Sequence, residues 1–168
     1  GANIARSAIL KSDLPITVPG FQINRFCSSG LDAMNIIACK IMAKQIDMGI
    51  ASGVECMSRV PILADGGALV ADPSITYTHN IVPQGISADL IATKYGYTRE
   101  DLDKFAVLSQ KRARKAIDEG YLTSIIPIKN TLGEVLLNQD EHPRDTTLAS
   151  LKDLKPSSEM MGAMAGYD

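Results

Sequence analysis

The stretch Ile23-Asn24-Arg25-Phe26-Cys27-Ser28-Ser29-Gly30-Leu31 decides how the rest is read. Phe21 to Phe26 alternates in the manner of a short strand, with Phe21, Ile23 and Arg25 set against Gln22, Asn24 and Phe26. Small residues follow at Ser28, Ser29 and Gly30, and then a helical pattern runs to about Lys44. Cys27 therefore falls where a strand meets the first turn of a helix. Free amides and the positive end of the helix dipole favour an anion at such a place, and a thiolate there is an activated nucleophile. The same amides can hold an oxyanion during acyl transfer. The plainer alternative stays open at this point: a cysteine in an apolar chain often serves as a small buried hydrophobe.

Outward from Cys27, the helix pattern carries Leu31, Ala33, Met34, Ile36, Ile37, Ala38, Cys39, Ile41, Met42 and Ala43, with few polar members between. A helix apolar on nearly all sides calls for cover on nearly all sides, from further layers or from a partner chain. Cys39 is expected in that buried face, and Cys56 in a core or interface. Met48 to Val54 is a short apolar run bounded by turn residues, which fits a buried strand. Strand, helix and strand in this order make a βαβ unit of a parallel sheet, so the fold class is α/β. Upstream, Ala2 to Lys11 reads as a short helix that Pro15 and Pro19-Gly20 end.

After Pro61 the texture changes. Residues 62–85 are rich in Gly, Pro, Asp and Ser and are expected to be loop. Ile86 to Tyr95 reads as a helix, and Thr98 with Asp101 looks like a capping box opening a longer one to about Glu119. Its expected apolar face holds Leu102, Phe105, Ala106, Ser109, Ala113, Ala116 and Ile117, and Gly120 ends it. Ser124 to Lys129 and Glu134 to Leu137 resemble a two-stranded ribbon, and Thr147 to Leu154 a short helix.

Composition bounds the function. The 168 residues carry 17 Lys+Arg against 19 Asp+Glu, a balance that argues against nucleic acid as the main partner. No apolar run is long enough for a membrane-spanning helix. Three cysteines without a CxxC pair, and histidines only at 79 and 142, point to no metal site and no disulfide scaffold. The basic run Lys111, Arg112, Arg114 and Lys115 is balanced by Asp101, Asp103, Asp118 and Glu119 and reads as a solvated helix face. The start at Gly1-Ala2-Asn3 shows no targeting segment, so the expected compartment is cytoplasmic, with an organellar matrix as the alternative.

The residues around Cys27 closely resemble the nucleophile motif of the thiolases, the acetyl-CoA acetyltransferases and 3-ketoacyl-CoA thiolases. Gly53-Val54-Glu55-Cys56-Met57-Ser58-Arg59-Val60-Pro61 is similar to the strand and turn that follow in that family. Val82 to Asp89, and Arg144 to Leu148 with Leu154-Lys155-Pro156, resemble parts of its loop domain. The resemblance implies a partial thiolase-like βαβ sheet layer, incomplete, over residues 1–61, with an inserted, mainly helical loop domain facing coenzyme A over 62–168. It implies Cys27 as the catalytic nucleophile, acyl-CoA and coenzyme A as substrates, no covalently bound cofactor, and a homodimer or homotetramer. The family's Gly-His-Pro histidine and its Cys-x-Gly-Gly second cysteine have no counterpart in the 168 residues. The expectation is thus an internal fragment of the N-terminal half, inactive alone. A CoA-binding or assembly fragment without catalysis and a ketosynthase relative are the alternatives.

Overall fold

The computed structural model describes residues 2–64, 66–164 and 166. The chain divides into two compact units, Gly1–Gly66 and Gly67–Asp168.

In the first unit, helix α1 spans Ile4–Lys11. Asn3 caps it by accepting from the Arg6 N–H, the role short polar side chains play at an N-cap. Polar contacts tie α1 to the segment that follows. Asn3 Nδ2 donates to the Gly20 carbonyl at 2.9 Å, Arg6 Nη1 to the Val18 carbonyl at 2.6 Å, and the Ile4 N–H to Gln22 Oε1 at 2.9 Å. Ile9 is buried. A single 3-10 turn, Phe26–Ser28, then leads into helix α2, Ser29–Met42.

The two strands expected around α2 do not form. The only strands among the described residues are β1, Ile128–Lys129, and β2, Val135–Leu137, an antiparallel pair in the second unit. Among the described residues, no backbone–backbone hydrogen bond engages residues 19–24 or 46–55. The parallel βαβ layer is thus corrected to a helical unit with irregular flanks. The physical reason is that a strand exists only through its ladder, and an apolar parallel strand also needs both faces covered. No described segment supplies either.

In the second unit, α3 (Ala68–Ala71) and α4 (Pro73–Thr78) fall inside the stretch expected to be loop. Asp72 starts α4 by accepting from the Ser74 N–H, with Pro73 at the first helical position. α5 is Gln84–Tyr95 and α6 is Arg99–Asp118. The capping box at Thr98 and Asp101 is present, and Gly120, at φ 69°, ends the helix as expected. Gly133, at φ 84°, turns the ribbon between β1 and β2. α7 is Leu148–Lys152, opened by a second capping box from Thr147 to Ser150, and α8 is Glu159–Met164. Ala92 of α5 and Ser158, just before α8, are buried.

The covered stripe of α6 is rotated from the expected one. Asp103, Ala106, Val107, Gln110, Ala113, Ala116 and Ile117 are half-buried, while Phe105 is 71% exposed. Polar contacts select that face: Arg99 pairs with Asp103 at 2.9 Å, and Gln110 Oε1 accepts from the Arg144 N–H at 3.0 Å.

Little apolar surface is hidden. The chain exposes 14535 Å². A compact protein of this mass exposes about 8,000 Å², and two separate compact bodies of these sizes about 9,700 Å². The surplus lies in residues such as Leu31, Met34, Ile41, Met42, Met48, Ile50 and Val54, all exposed, so no residue of α2 is buried.

Candidate functional site

Cys27 occupies the middle of the 3-10 turn and is exposed. It is not packed in hydrocarbon, and neither are Cys39 and Cys56, so exposure by itself does not single it out. The turn before it is unusual. Phe26 has φ 51°, the left-handed region, which for a bulky side chain costs on the order of 1–3 kcal/mol. Such a conformation persists only where neighbours over-determine it.

Four side chains do so. Asn24 Oδ1 accepts from the Phe26 N–H at 3.0 Å. The Ser29 hydroxyl accepts from the Arg25 N–H at 2.8 Å and donates to the Phe26 carbonyl at 2.7 Å. Arg25 Nη1 reaches Asp32 Oδ2, one turn into α2, at 3.4 Å. The backbone adds a bond from the Ser28 N–H to the Arg25 carbonyl at 3.1 Å. Among the described residues no hydrogen bond engages the Cys27 N–H.

Ser28 and Ser29 stand where side-chain caps of a helix are common. Ser28 is the N-cap residue, yet its side chain makes no capping bond, and Ser29 binds backward into the turn instead. The signal that could have found this is a hydroxyl two residues after the cysteine, within reach of the backbone on both sides of Phe26.

Cys39 lies on α2, twelve residues beyond Cys27, and is exposed rather than core. It helps line a shallow hollow of about 440 Å³ with Asp32, Asn35, Ile36, Lys40, Ala43 and Gln45. A smaller hollow of about 170 Å³ is lined by Arg25, Ser28, Leu31, Asp32 and Asn35, beside the turn. Cys56 is also exposed, with its Sγ 3.7 Å from Ser58 Oγ. Neither hollow includes Cys27 or Cys56. His79 and His142 are exposed, His79 as the C-cap of α4. Arg114 and Lys115 pair with Asp118 and Glu119, the solvated face the sequence indicated. No cluster of metal-binding side chains occurs among the described residues. No helix among them is long and apolar enough to cross a membrane.

The comparisons with known proteins agree with one another. The family described as thiolase, N-terminal domain, matches residues 1–166. The β-ketoadipyl-CoA thiolase of Pseudomonas aeruginosa is 38% identical, over 92% of this chain and 43% of that protein. The acetyl-CoA acetyltransferase of Escherichia coli is 35% identical, over 98% of this chain and 46% of the relative. Among solved structures, the dimeric peroxisomal thiolase of Saccharomyces cerevisiae superposes with a TM-score of 0.75 at 37% identity, over 90% of this chain and 40% of that one. Human mitochondrial 3-ketoacyl-CoA thiolase, solved in complex with CoA, gives 0.73 at 30% identity, over 90% of this chain and 41% of that one. The chain thus spans less than half the length of these relatives. On the match of its whole described length to the N-terminal domain, this chain belongs to the thiolase family of acyltransferases.

Proposed function

We propose that this chain carries the nucleophile of a thiolase acyl transfer, with Cys27 Sγ as the attacking atom. The observation that carries the reading is an exposed thiol on a braced turn at the start of α2, inside the motif that resembles the family's nucleophile. A thiol in such a place is accessible to a thioester.

In the degradative direction Cys27 Sγ attacks the keto carbon of a 3-ketoacyl-CoA. The bond from that carbon to the α-carbon breaks, acetyl-CoA leaves after taking a proton at the α-carbon, and an acyl-enzyme remains. The sulfur of free CoA then attacks the acyl carbon, and the Cys27 sulfur departs and regains its proton. In the synthetic direction acetyl-CoA acylates Cys27 first. The Cys27 N–H, which no hydrogen bond engages among the described residues, suits one donor of an oxyanion site.

The family's histidine and second cysteine move the protons of both steps. The 168 residues contain neither a Gly-His-Pro nor a Cys-x-Gly-Gly segment, so the chain alone does not turn over. Residues 62–168 form the CoA-facing part in this reading. The CoA complex of the human relative and the dimeric state of the yeast one support CoA as substrate and a homo-oligomer as the assembled state.

The test is acylation by acetyl-CoA, mapped by peptide mass. The reading expects the acetyl group on Cys27 well ahead of Cys39 and Cys56, which are also exposed and serve as internal references. Equal labelling of all three overturns it. Thiolysis of acetoacetyl-CoA by the chain alone is expected at trace level only, and sustained turnover would show that the absent histidine and cysteine are not needed.

A further inference from the structure

We infer that Ser29 is a positioning residue for Cys27, its hydroxyl holding the Arg25–Phe26 turn from which the reactive sulfur projects. The inference rests on Cys27 as the nucleophile and adds a second residue to that site. Ser29 does not act as a helix cap, because its oxygen is engaged with the turn behind it rather than with the amides ahead. Its two bonds bracket the strained residue. One takes the N–H of Arg25 and the other the carbonyl of Phe26, so the peptide unit between them is pinned from both ends.

Only a hydroxyl can do this from one atom, since it donates and accepts together. Asn24 contributes the third tie, to the N–H of Phe26. Cys27 follows directly, so the direction in which its Cα–Cβ bond leaves the chain is set by the φ of 51° that these bonds maintain. With Ser29 Oγ removed, Phe26 relaxes to an ordinary conformation and the sulfur swings away from the helix start. Reactions that depend on alignment are sensitive to displacements of this kind.

The experiment uses the whole 168-residue chain and reads acetylation by acetyl-CoA and alkylation by iodoacetamide at each cysteine. Ser29→Ala is expected to slow acetylation of Cys27 by about tenfold or more, with Cys39 and Cys56 unchanged. Ser29→Thr, which keeps the hydroxyl, is expected to restore it. An unchanged Cys27 rate in Ser29→Ala overturns the inference, as does a change common to all three cysteines.

A second pair of variants guards against loss of folding. Glycine tolerates a positive φ without strain. In a Phe26→Gly background, Ser29→Ala is therefore expected to cost less than in the parent chain, and an equal loss in both overturns the inference. If Cys27 of the parent chain is acetylated no faster than its references, the nucleophile reading falls instead. The iodoacetamide rates, which need no thioester chemistry, then judge Ser29 by itself.

Discussion

The guanidinium of Arg99 donates to the carbonyl oxygen of Leu151 at 2.8 Å, and the same nitrogen reaches the Leu154 carbonyl at 3.2 Å. One side chain at the start of α6 thus adds a charged donor to two carbonyls at and just past the end of α7, of which that of Leu151 also accepts from the Leu154 N–H at 3.0 Å. Its other edge is held by Asp103, one turn along α6.

Replacing Arg99 should loosen α7. Arg99→Ala removes a charged donor from two carbonyls and is expected to cost about 1–2 kcal/mol of local stability, at the low end because the pair is partly exposed. Amide hydrogen exchange in residues 148–154 should rise while α5 is unaffected. Arg99→Lys should recover little, because an ammonium cannot serve Asp103 and both carbonyls with one planar fork.

Acid should fray α6 from its N-terminus. The Thr98 hydroxyl and N–H hold Asp101 below the usual carboxylate range. A carboxyl whose folded value is depressed contributes stability above its unfolded value and loses it as pH falls through the folded value. The first turn of α6 is therefore expected to open only below the ordinary aspartate range, and Thr98→Val should move that opening to higher pH. Exchange rates of residues 99–102 against pH would show it, and a pH-independent N-terminal turn would contradict it.

Gly20→Ala should be costly although it adds one methyl group. A Cβ there would lie 2.8 Å from the Arg6 N and 3.0 Å from the Ala5 carbonyl carbon, both backbone atoms of α1 that cannot swing aside. Overpacking of this kind costs roughly 1–3 kcal/mol. The urea midpoint should fall, and the bonds from α1 to Val18, Gly20 and Gln22 should weaken together.

Exposed apolar surface makes its own prediction. With Leu31, Met34, Met42, Met48 and Ile50 open, the chain by itself should bind anilinonaphthalene sulfonate and sediment with concentration-dependent mass. Because the surface is apolar, added sodium sulfate should strengthen the association. A monomer that binds no dye at any concentration would contradict this.

Affinity for CoA separates catalysis from binding. If residues 62–168 hold the coenzyme, Cys27→Ser should bind CoA as tightly as the parent chain by calorimetry, while losing all acetyl transfer at that position. Loss of both together would place the thiol itself in the binding contact.

Much of the local structure was legible because it is written in short-range chemistry. The Thr98–Asp101 box, the Gly120 and Gly133 turns, and helices α1, α2 and α6 all depend on residues within a few positions of one another. The position of Cys27 before a helix was legible for the same reason. Three things were not. The segments near Phe21–Phe26 and Met48–Val54 have strand composition, but a strand also requires a neighbour, which periodicity does not reveal. The stripe of α6 that is covered was chosen by Arg99, Asp103 and Gln110, polar residues that a hydrophobic pattern passes over. The role of Ser29 depends on a left-handed Phe26, a conformation that composition argues against.

The turn around Cys27 is built almost wholly from bonds that span four residues or fewer. Contacts so close along the chain need almost no loop closure, and a hairpin-sized or helical element forms within microseconds. A ribosome adds about 5–20 residues per second, so this shape is available as soon as α2 has emerged. The turn that carries Cys27 can therefore form early in biosynthesis, next to a helix with no buried residue. A nascent chain would thus present this shaped turn together with the exposed apolar residues Leu31, Met34, Ile41 and Met42 of α2, a surface open to association until it is covered.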